Sequence, residues 1–466
     1  MKMTDNPDFQ TTDEGREFEN AIMQVLDVEK KDYPSYFGGF KVASGVEFTV
    51  CSPIDESIRF GAFQEPEEHI MVEAVTAAVK AFREWSNTPI LERIKPFEMI
   101  LNTLKARRLY YAATVTVACG MTRSDSLSEV DCLISVIEKL LAEAKSGIRI
   151  RPWGTWAVIS AHNSCFASPI GYAVAAMIAG NTVVMNPSKT CPTPVYAFYT
   201  LCEKFGLPGG VLNLVVDRKE YESTQELAND MRINGIVASG SGERLEDLMF
   251  LQVDDDLKFI NEIKGMNPAI IYRPSNMKDT VKNIIDSSFS FCGQSLHSCS
   301  KVIITRDDQD KFLSNLTEQL KDFVIGDPVD DSSCAGPLID KDAAKRFREL
   351  VEQNLGFVVA KGKSVPRNLA DNYVAPVVMM GLDDENDLNY MDSGLPILNI
   401  KVVDSIDEAF EELENTECGL SAGLFTKDQK IIDRFNKEVN APQTYINVSS
   451  CNLPVALETG LKNFSK

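Results

Sequence analysis

From residue 155 onward the chain alternates short β-rich runs with helical periods, and this alternation restricts the fold more than any other feature. TWAVISA (155–161), NTVVMNP (181–187) and GVLNLVV (210–216) carry residues that suit a pleated, buried surface. Between them, 167–179 and 192–205 repeat apolar side chains at helical spacing. Strand, helix and strand in that order imply parallel pairing through right-handed crossovers, hence a doubly wound sheet. A second series of the same kind follows, with IVAS (236–239), AIIY (269–272), KVIIT (301–305) and KVVD (401–404), separated by helical stretches such as 308–323 and 340–354. Upstream, a polar N-terminal arm leads into HIMVEAVTAAVKAFREWS (69–86), whose apolar residues recur every three or four positions as on an amphipathic helix. Long helical patterns continue over 91–145, so the first third is expected to be mostly helix. Neither an internal repeat nor a long flexible linker interrupts the series.

A chain of 466 residues exceeds what one hydrophobic core can organise and fits two or three domains. Forty-seven Lys and Arg against 68 Asp and Glu give a net charge of −21, which repels nucleic-acid phosphates and acidic membrane surfaces. No stretch reaches the roughly 18 to 20 apolar residues that span a bilayer, and the acidic start does not resemble a signal peptide. The expected location is cytoplasmic. Eleven cysteines, scattered singly without a CxxC pair, fit reduced thiols used as small core hydrophobes. Three histidines, His69, His162 and His297, lack ligand spacing, so no metal is expected.

AVISAHNSCFASPIGYAVAAMIAGNTVVMNPSKTCPTP, followed by GLPGGVLNLV, resembles the aldehyde dehydrogenase segment worded "W-N-F-P … G-N-T-V-V-x-K-P-S … T-P … G-x-P-x-G-V-x-N". NEIKGMNPAI resembles that family's "E-x-G-G-K-N-P", GPLID its "G-P-x-I", and ECGLSAGLFTKD its "x-Y-G-L-x-x-x-V-x-x-x-D". SSFSFCGQSLHSCSKVII is similar to the active-site segment "F-x-F-x-G-Q-x-C-x-x-C-S-R-V" of the 1-pyrroline-5-carboxylate dehydrogenase branch. The matches run in family order from about 45 to 447.

The resemblance implies two doubly wound parallel-sheet domains of α/β class: a Rossmann-like dinucleotide-binding domain over 1–263 plus 445–466, and a catalytic domain over 264–444. It also implies an NAD(P)-dependent oxidoreductase, in which a thiolate attacks an aldehyde, donors hold the oxyanion, and a base activates water. Asn163 matches the oxyanion asparagine and Glu262 the general base. The nucleophile position, two residues after Gln294, is Leu296, and a leucine has no lone pair with which to attack a carbonyl. Cys299 is the candidate substitute and Cys292 a weaker one, although an extended three-residue shift moves a thiol by several ångströms, whereas attack needs reacting atoms at about 3 to 3.5 Å.

Among cofactor positions, the family's "K-P-S" reads Asn186, Pro187, Ser188, so the ribose-binding lysine is an asparagine. Gly240 and Ser241 match the turn that contacts the dinucleotide, and Asp392 replaces the ribose-binding glutamate, with Gly394 where a phenylalanine packs by the nicotinamide. The cofactor implied is NAD or NADP and the substrate a small aldehyde. The stretch between Lys145 and 155 is short and only 19 residues follow Asn447, so the oligomerisation arm is expected to be reduced or missing, giving a monomer or an atypical assembly, an active relative being one candidate partner. Three functional readings stay open: a pseudoenzyme with a binding or scaffolding role, a semialdehyde dehydrogenase using a relocated thiol such as Cys299, and a nucleotide-binding sensor without turnover.

Overall fold

The computed structural model describes residues 13–27, 31–67, 69–250, 257–416, 418–455 and 458–466. Among these, the chain divides into two compact units: one built from residues up to 119 with 126–262 and 454–466, the other from 120–125 and 263–453.

The first unit is organised around a seven-stranded sheet in the order Lys258–Ile263, Ile233–Gly240, Thr155–Ser160, Thr182–Pro187, Leu212–Leu214, Ser35–Phe37, Phe40–Val42. The four strands from Ile233–Gly240 to Leu212–Leu214 are parallel, as the alternation predicts. The strand expected at 236–239 starts earlier, and the one at 210–216 is shorter. Where helix was expected in the first third, the structure also has strands: the Ser35–Phe37/Phe40–Val42 antiparallel hairpin extends this sheet, and Lys31–Tyr33, Arg59–Gln64 and Glu47–Cys51 form a separate three-stranded one. Strands of three residues show no period long enough to read, which is why the sequence conceals them.

Thr155–Ser160 and Thr182–Pro187 are buried at every residue, so both faces of the sheet are covered. One cover is the helix Ala167–Ala179, buried all round and built from Ala, Gly, Ser and aliphatic residues that allow close approach. It ends where Gly180 takes φ +98°, with the Gly180 N–H donating to Met177 O at 3.0 Å and the Asn181 N–H to Ala176 O at 2.9 Å. The buried Arg93 guanidinium donates to Ile178 O (2.9 Å), placing a cation at the negative end of the helix dipole. Burial pushes its pKa down to about 10.

The second unit has another seven-stranded sheet, in the order Val358–Lys361, Val377–Met380, Ile397–Val403, Lys301–Thr305, Ala269–Ile271, Ser421–Phe425, Gln443–Ile446. All neighbours are parallel except Val358–Lys361 with Val377–Met380. Because Gln443–Ile446 pairs with Ser421–Phe425, residues 445–453 belong to this unit and the chain leaves it at 453, not at 445. The helices expected at 308–323 and 340–354 are Arg306–Gln319 and Lys341–Gln353.

Two further findings bear on the sequence reading. Cys119 and Cys191, expected as separate reduced thiols, are joined in a disulfide; their Cα atoms lie 5.8 Å apart across 72 residues of sequence, a proximity that only the tertiary fold creates. Among the described residues no helix is long and apolar enough to cross a membrane.

Asn181 couples the helix end to the chain terminus. Asn181 is itself fully buried; its amide donates to Ala176 O (3.1 Å) and Phe464 O (2.9 Å), while its oxygen accepts from Trp153 N (2.6 Å) and Gly154 N (2.9 Å). Asn181→Ala removes these four side-chain hydrogen bonds, leaving Ala176 O only its bond from the backbone N–H of residue 181, and the expected loss is about 3 kcal/mol. That corresponds to a fall of roughly 6 to 12 °C in the thermal midpoint. A loss under about 1 kcal/mol in calorimetry would refute this role.

Candidate functional site

The positions that match the family's site fall into two groups, one in each unit. In the first unit, the chain runs from Thr155–Ser160 to Thr182–Pro187 on one side and returns as Ile233–Gly240 on the other. The carboxyl ends of Thr155–Ser160 and Ile233–Gly240 therefore lie at a topological switch point. Asn163 and Ser241 meet there: Asn163 Nδ2 donates to Ser241 Oγ (3.0 Å) and Ser241 N to Asn163 Oδ1 (3.1 Å). Gly240, at φ +128°, has no room for a side chain, since a Cβ would lie 2.5 Å from Ala161 Cβ and 2.9 Å from Asn163 Oδ1. The structure thus brings Asn163, Gly240 and Ser241 together.

Glu262 lies in the same unit, at the end of Lys258–Ile263 and 1% exposed. Its Oε2 accepts from Ser239 Oγ at 2.8 Å and from Ser168 Oγ, while Ser239 Oγ also bonds Ser164 Oγ (2.6 Å) and Ser168 Oγ (2.7 Å). Tyr172 adds a further hydroxyl, and burial, reinforced by the charge of Glu262, pushes its pKa well above the ordinary value. A buried carboxylate satisfied by hydroxyl donors is held ready in one position.

Towards the Thr182–Pro187 end, Asn186 is turned into the protein. Its amide donates to Val215 O (3.0 Å) and Asp217 Oδ2 (3.2 Å), and its oxygen accepts from Arg244 Nη1 (3.3 Å). The buried Arg244 also donates to Ser160 O, at the mouth of the neighbouring strand. Ser188 Oγ pairs with Thr190 Oγ1 (2.9 Å). The buried Asp217 carboxyl takes hydrogen bonds from Asn186 and from the Ser223 hydroxyl, and burial raises it above its usual pKa.

In the second unit, Leu296 is 3% exposed, and its carbonyl accepts from Asn267 Nδ2 at 2.9 Å. Asn267 adopts φ +47°, donates also to Ser298 O (3.1 Å), and accepts from Leu420 N (3.0 Å) and Ser421 N (2.9 Å). The loop is firmly braced even though its side chain is a hydrocarbon. Cys299 points into the core, its Sγ donating to Lys301 O (3.3 Å), and burial pushes its thiol up to about 12. Cys292, at φ +54° in the preceding turn, is likewise raised to about 12 by burial. Neither thiol is ionised near neutral pH, so neither is equipped as a nucleophile. His297 is a buried side chain with Nε2 3.3 Å from Gln443 Nε2.

Asp392 carries an interaction that the sequence reading missed. Lys264 Nζ lies 2.9 Å from Asp392 Oδ2 and donates to Gly293 O at 2.7 Å, with the two side chains 0% and 6% exposed. Gly394 N donates to the same carboxylate oxygen (3.2 Å), whereas Asp392 Oδ1 is buried without a partner. Lys264 stands at the first glycine of "E-x-G-G-K-N-P", so the signal was a side chain where the family pattern has none. Asp125 was also missed: it is buried and accepts a hydrogen bond from the Phe291 backbone, and burial pushes its carboxyl up to about 6. Its distance in sequence from Phe291 hid it.

Two doubly wound α/β units, one with a topological switch point and the other with a braced loop beside a buried ion pair, define a two-domain protein of dinucleotide-enzyme architecture. Residues 41–463 match the aldehyde dehydrogenase family, and the chain belongs to that family. It is 24% identical to the 1-pyrroline-5-carboxylate dehydrogenase of Geobacillus sp. (strain WCH70) over 463 residues, covering 94% of this chain and 89% of that protein. The crystal structure of 1-pyrroline-5-carboxylate dehydrogenase from Thermus with bound NAD shares the fold with a TM-score of 0.89 at 20% identity, over 100% of this chain and 98% of that one. Proline utilization A from Bdellovibrio bacteriovorus matches with a TM-score of 0.88 at 20% identity, over 98% of this chain, which spans 51% of that longer protein.

Two measurements follow from this geometry. Lys264→Met leaves the Asp392 carboxylate buried and uncompensated, at an expected cost of about 3 to 5 kcal/mol; Lys264→Met/Asp392→Leu should recover most of it. A double variant no more stable than the single one in denaturant titration would contradict the pairing. In native protein at pH 8, thiols raised to about 12 are only about one part in 10⁴ ionised. Iodoacetamide should therefore modify the exposed Cys334 long before Cys292 or Cys299, whose rates should rise about tenfold per pH unit. Peptide mass mapping showing Cys299 reacting as fast as Cys334 would disprove the packed-thiol assignment.

Proposed function

We propose that this chain retains binding of a nicotinamide dinucleotide and a small aldehyde or semialdehyde, but has lost covalent turnover. The observation that carries the proposal is Leu296 at the nucleophile's position, with both neighbouring thiols neutral and facing the core. The similarity to 1-pyrroline-5-carboxylate dehydrogenases supports a semialdehyde as the ligand class.

The residues fit a dinucleotide through an unpartnered acceptor. Asp392 Oδ1 is a buried oxygen lacking a donor, as a carboxylate reserved for a ribose hydroxyl would be. Asn186 supplies no free cation, so the adenosine end relies on hydrogen bonding to neutral and acidic groups. When bound, the dinucleotide would supply a hydride acceptor. On the chain's own side, the Asn163 amide would orient the carbonyl oxygen and the Glu262 carboxylate would hold a water or a proton near it. Without a thiol no adduct forms, and loss of a covalent nucleophile lowers turnover by about 10⁴ to 10⁶-fold. The unpartnered Asp392 oxygen favours a nucleotide-binding sensor over a scaffold that binds no nucleotide.

Calorimetry with NAD and with NADP should give a heat of binding, while absorbance at the NADH wavelength should stay at background with a panel of semialdehydes. Leu296→Cys should raise NADH formation at least about 10³-fold over the natural chain. Turnover by the natural chain within the ordinary range of about 1 to 10³ per second would overturn the proposal.

A further inference from the structure

The loops after two central strands of the first unit carry part of a cluster of sulfurs that the reading above does not use. Cys119 is the last residue of the helix Arg108–Cys119, Cys165 sits in the loop after Thr155–Ser160, and Cys191 in the loop after Thr182–Pro187. Their three Sγ atoms all lie within 4.8 Å of one another. Cys119 is fully buried and the other two are 2% exposed. Cys119 and Cys191 share the disulfide, and Cys165 is a free thiol beside it.

We propose that Cys119, Cys165 and Cys191 form a three-sulfur exchange cluster, in which the disulfide can pass to Cys165 and so change which loop is covalently tied. In the exchange, the Cys165 thiolate attacks Sγ of Cys191; the Cys165–Cys191 bond forms as the Cys119–Cys191 bond breaks. Cys119 departs as a thiolate and takes up the proton that Cys165 gave up. Attack on Sγ of Cys119 instead gives a Cys119–Cys165 bond and releases Cys191. Neither route needs an oxidant or a reductant, because the number of disulfides is unchanged.

The position of the bond matters for the loops. In the Cys119–Cys191 form, the loop that follows Asn186 and Ser188 is tied to the helix end, and the loop carrying Asn163 is tied to nothing covalent. Any bond to Cys165 fastens the Asn163 loop two residues from that amide. Burial, with a smaller contribution from the charge of Glu129, pushes the Cys165 thiol well above its ordinary pKa, so exchange is slow at neutral pH and accelerates with alkalinity.

The test uses the full chain purified without reductant, held at pH 7 or pH 9, quenched in acid, blocked with N-ethylmaleimide and digested for mass spectrometry. Peptides linked through Cys165 to Cys191 or to Cys119 should appear beside the Cys119–Cys191 pair. They should form about 100-fold faster at pH 9, tenfold for each pH unit. Cys165→Ser should abolish both new links and keep Cys119–Cys191. The proposal is overturned if Cys119–Cys191 is the only linkage after prolonged incubation at pH 9, or if new links reach the other free cysteines as readily, which would mean exchange through unfolded chains. It is equally overturned if all three thiols are free in the unreduced protein, including the case in which they hold a stoichiometric soft metal such as zinc.

Discussion

Parallel strands buried on both faces deliver their loops into the interior, so every polar group of those loops must find a partner inside the protein. Buried asparagines meet that demand repeatedly. Asn181 ties Trp153, Gly154, Ala176 and Phe464 together; Asn213 receives Gly38 N and donates to Val183 O and Gly210 O. Asn267 braces the Leu296 loop from one side and the start of Ser421–Phe425 from the other. An amide can satisfy an N–H of one segment and a carbonyl of another at once, whereas an ionised carboxylate only accepts and an aliphatic side chain does neither. The Leu296 loop and the ends of the neighbouring strands rest on these amides.

Charge is handled differently. Two cations lie inside the protein close to positions that match cofactor contacts: Arg244 beside Asn186, and Lys264 beside Asp392. Each is neutralised or hydrogen-bonded within its own unit, as burial of a charge requires. Beside Lys264 one oxygen of the Asp392 carboxylate remains unpartnered, whereas beside Arg244 the Asp217 carboxyl takes hydrogen bonds from Asn186 and Ser223.

Much of the architecture was legible because buried strands and helices announce themselves by period. KVIIT is a strand over the residues expected, and the helix at 167–179 begins and ends where its apolar pattern does. The three-residue strands at Lys31–Tyr33, Ser35–Phe37 and Phe40–Val42 were not legible, since so short a segment has no measurable alternation. At the site, the positions of Asn163, Gly240 and Ser241 could be read from motif order, and the fold brings them into contact. The Lys264–Asp392 pair spans more than a hundred residues of sequence, and a distance of that kind leaves no local trace.

Residue chemistry alone determined that no sulfur stands at position 296 and that an excess of acidic side chains covers the chain. It also determined the doubly wound class, because periodicity is a property of consecutive residues. Tertiary structure decided the rest: that the Cys299 and Cys292 thiols are buried and neutral, that Asn186 turns inward, and that three distant cysteines converge. Protonation, pairing and reactivity depend on what surrounds a group in space, and those neighbours come from segments that only folding brings together.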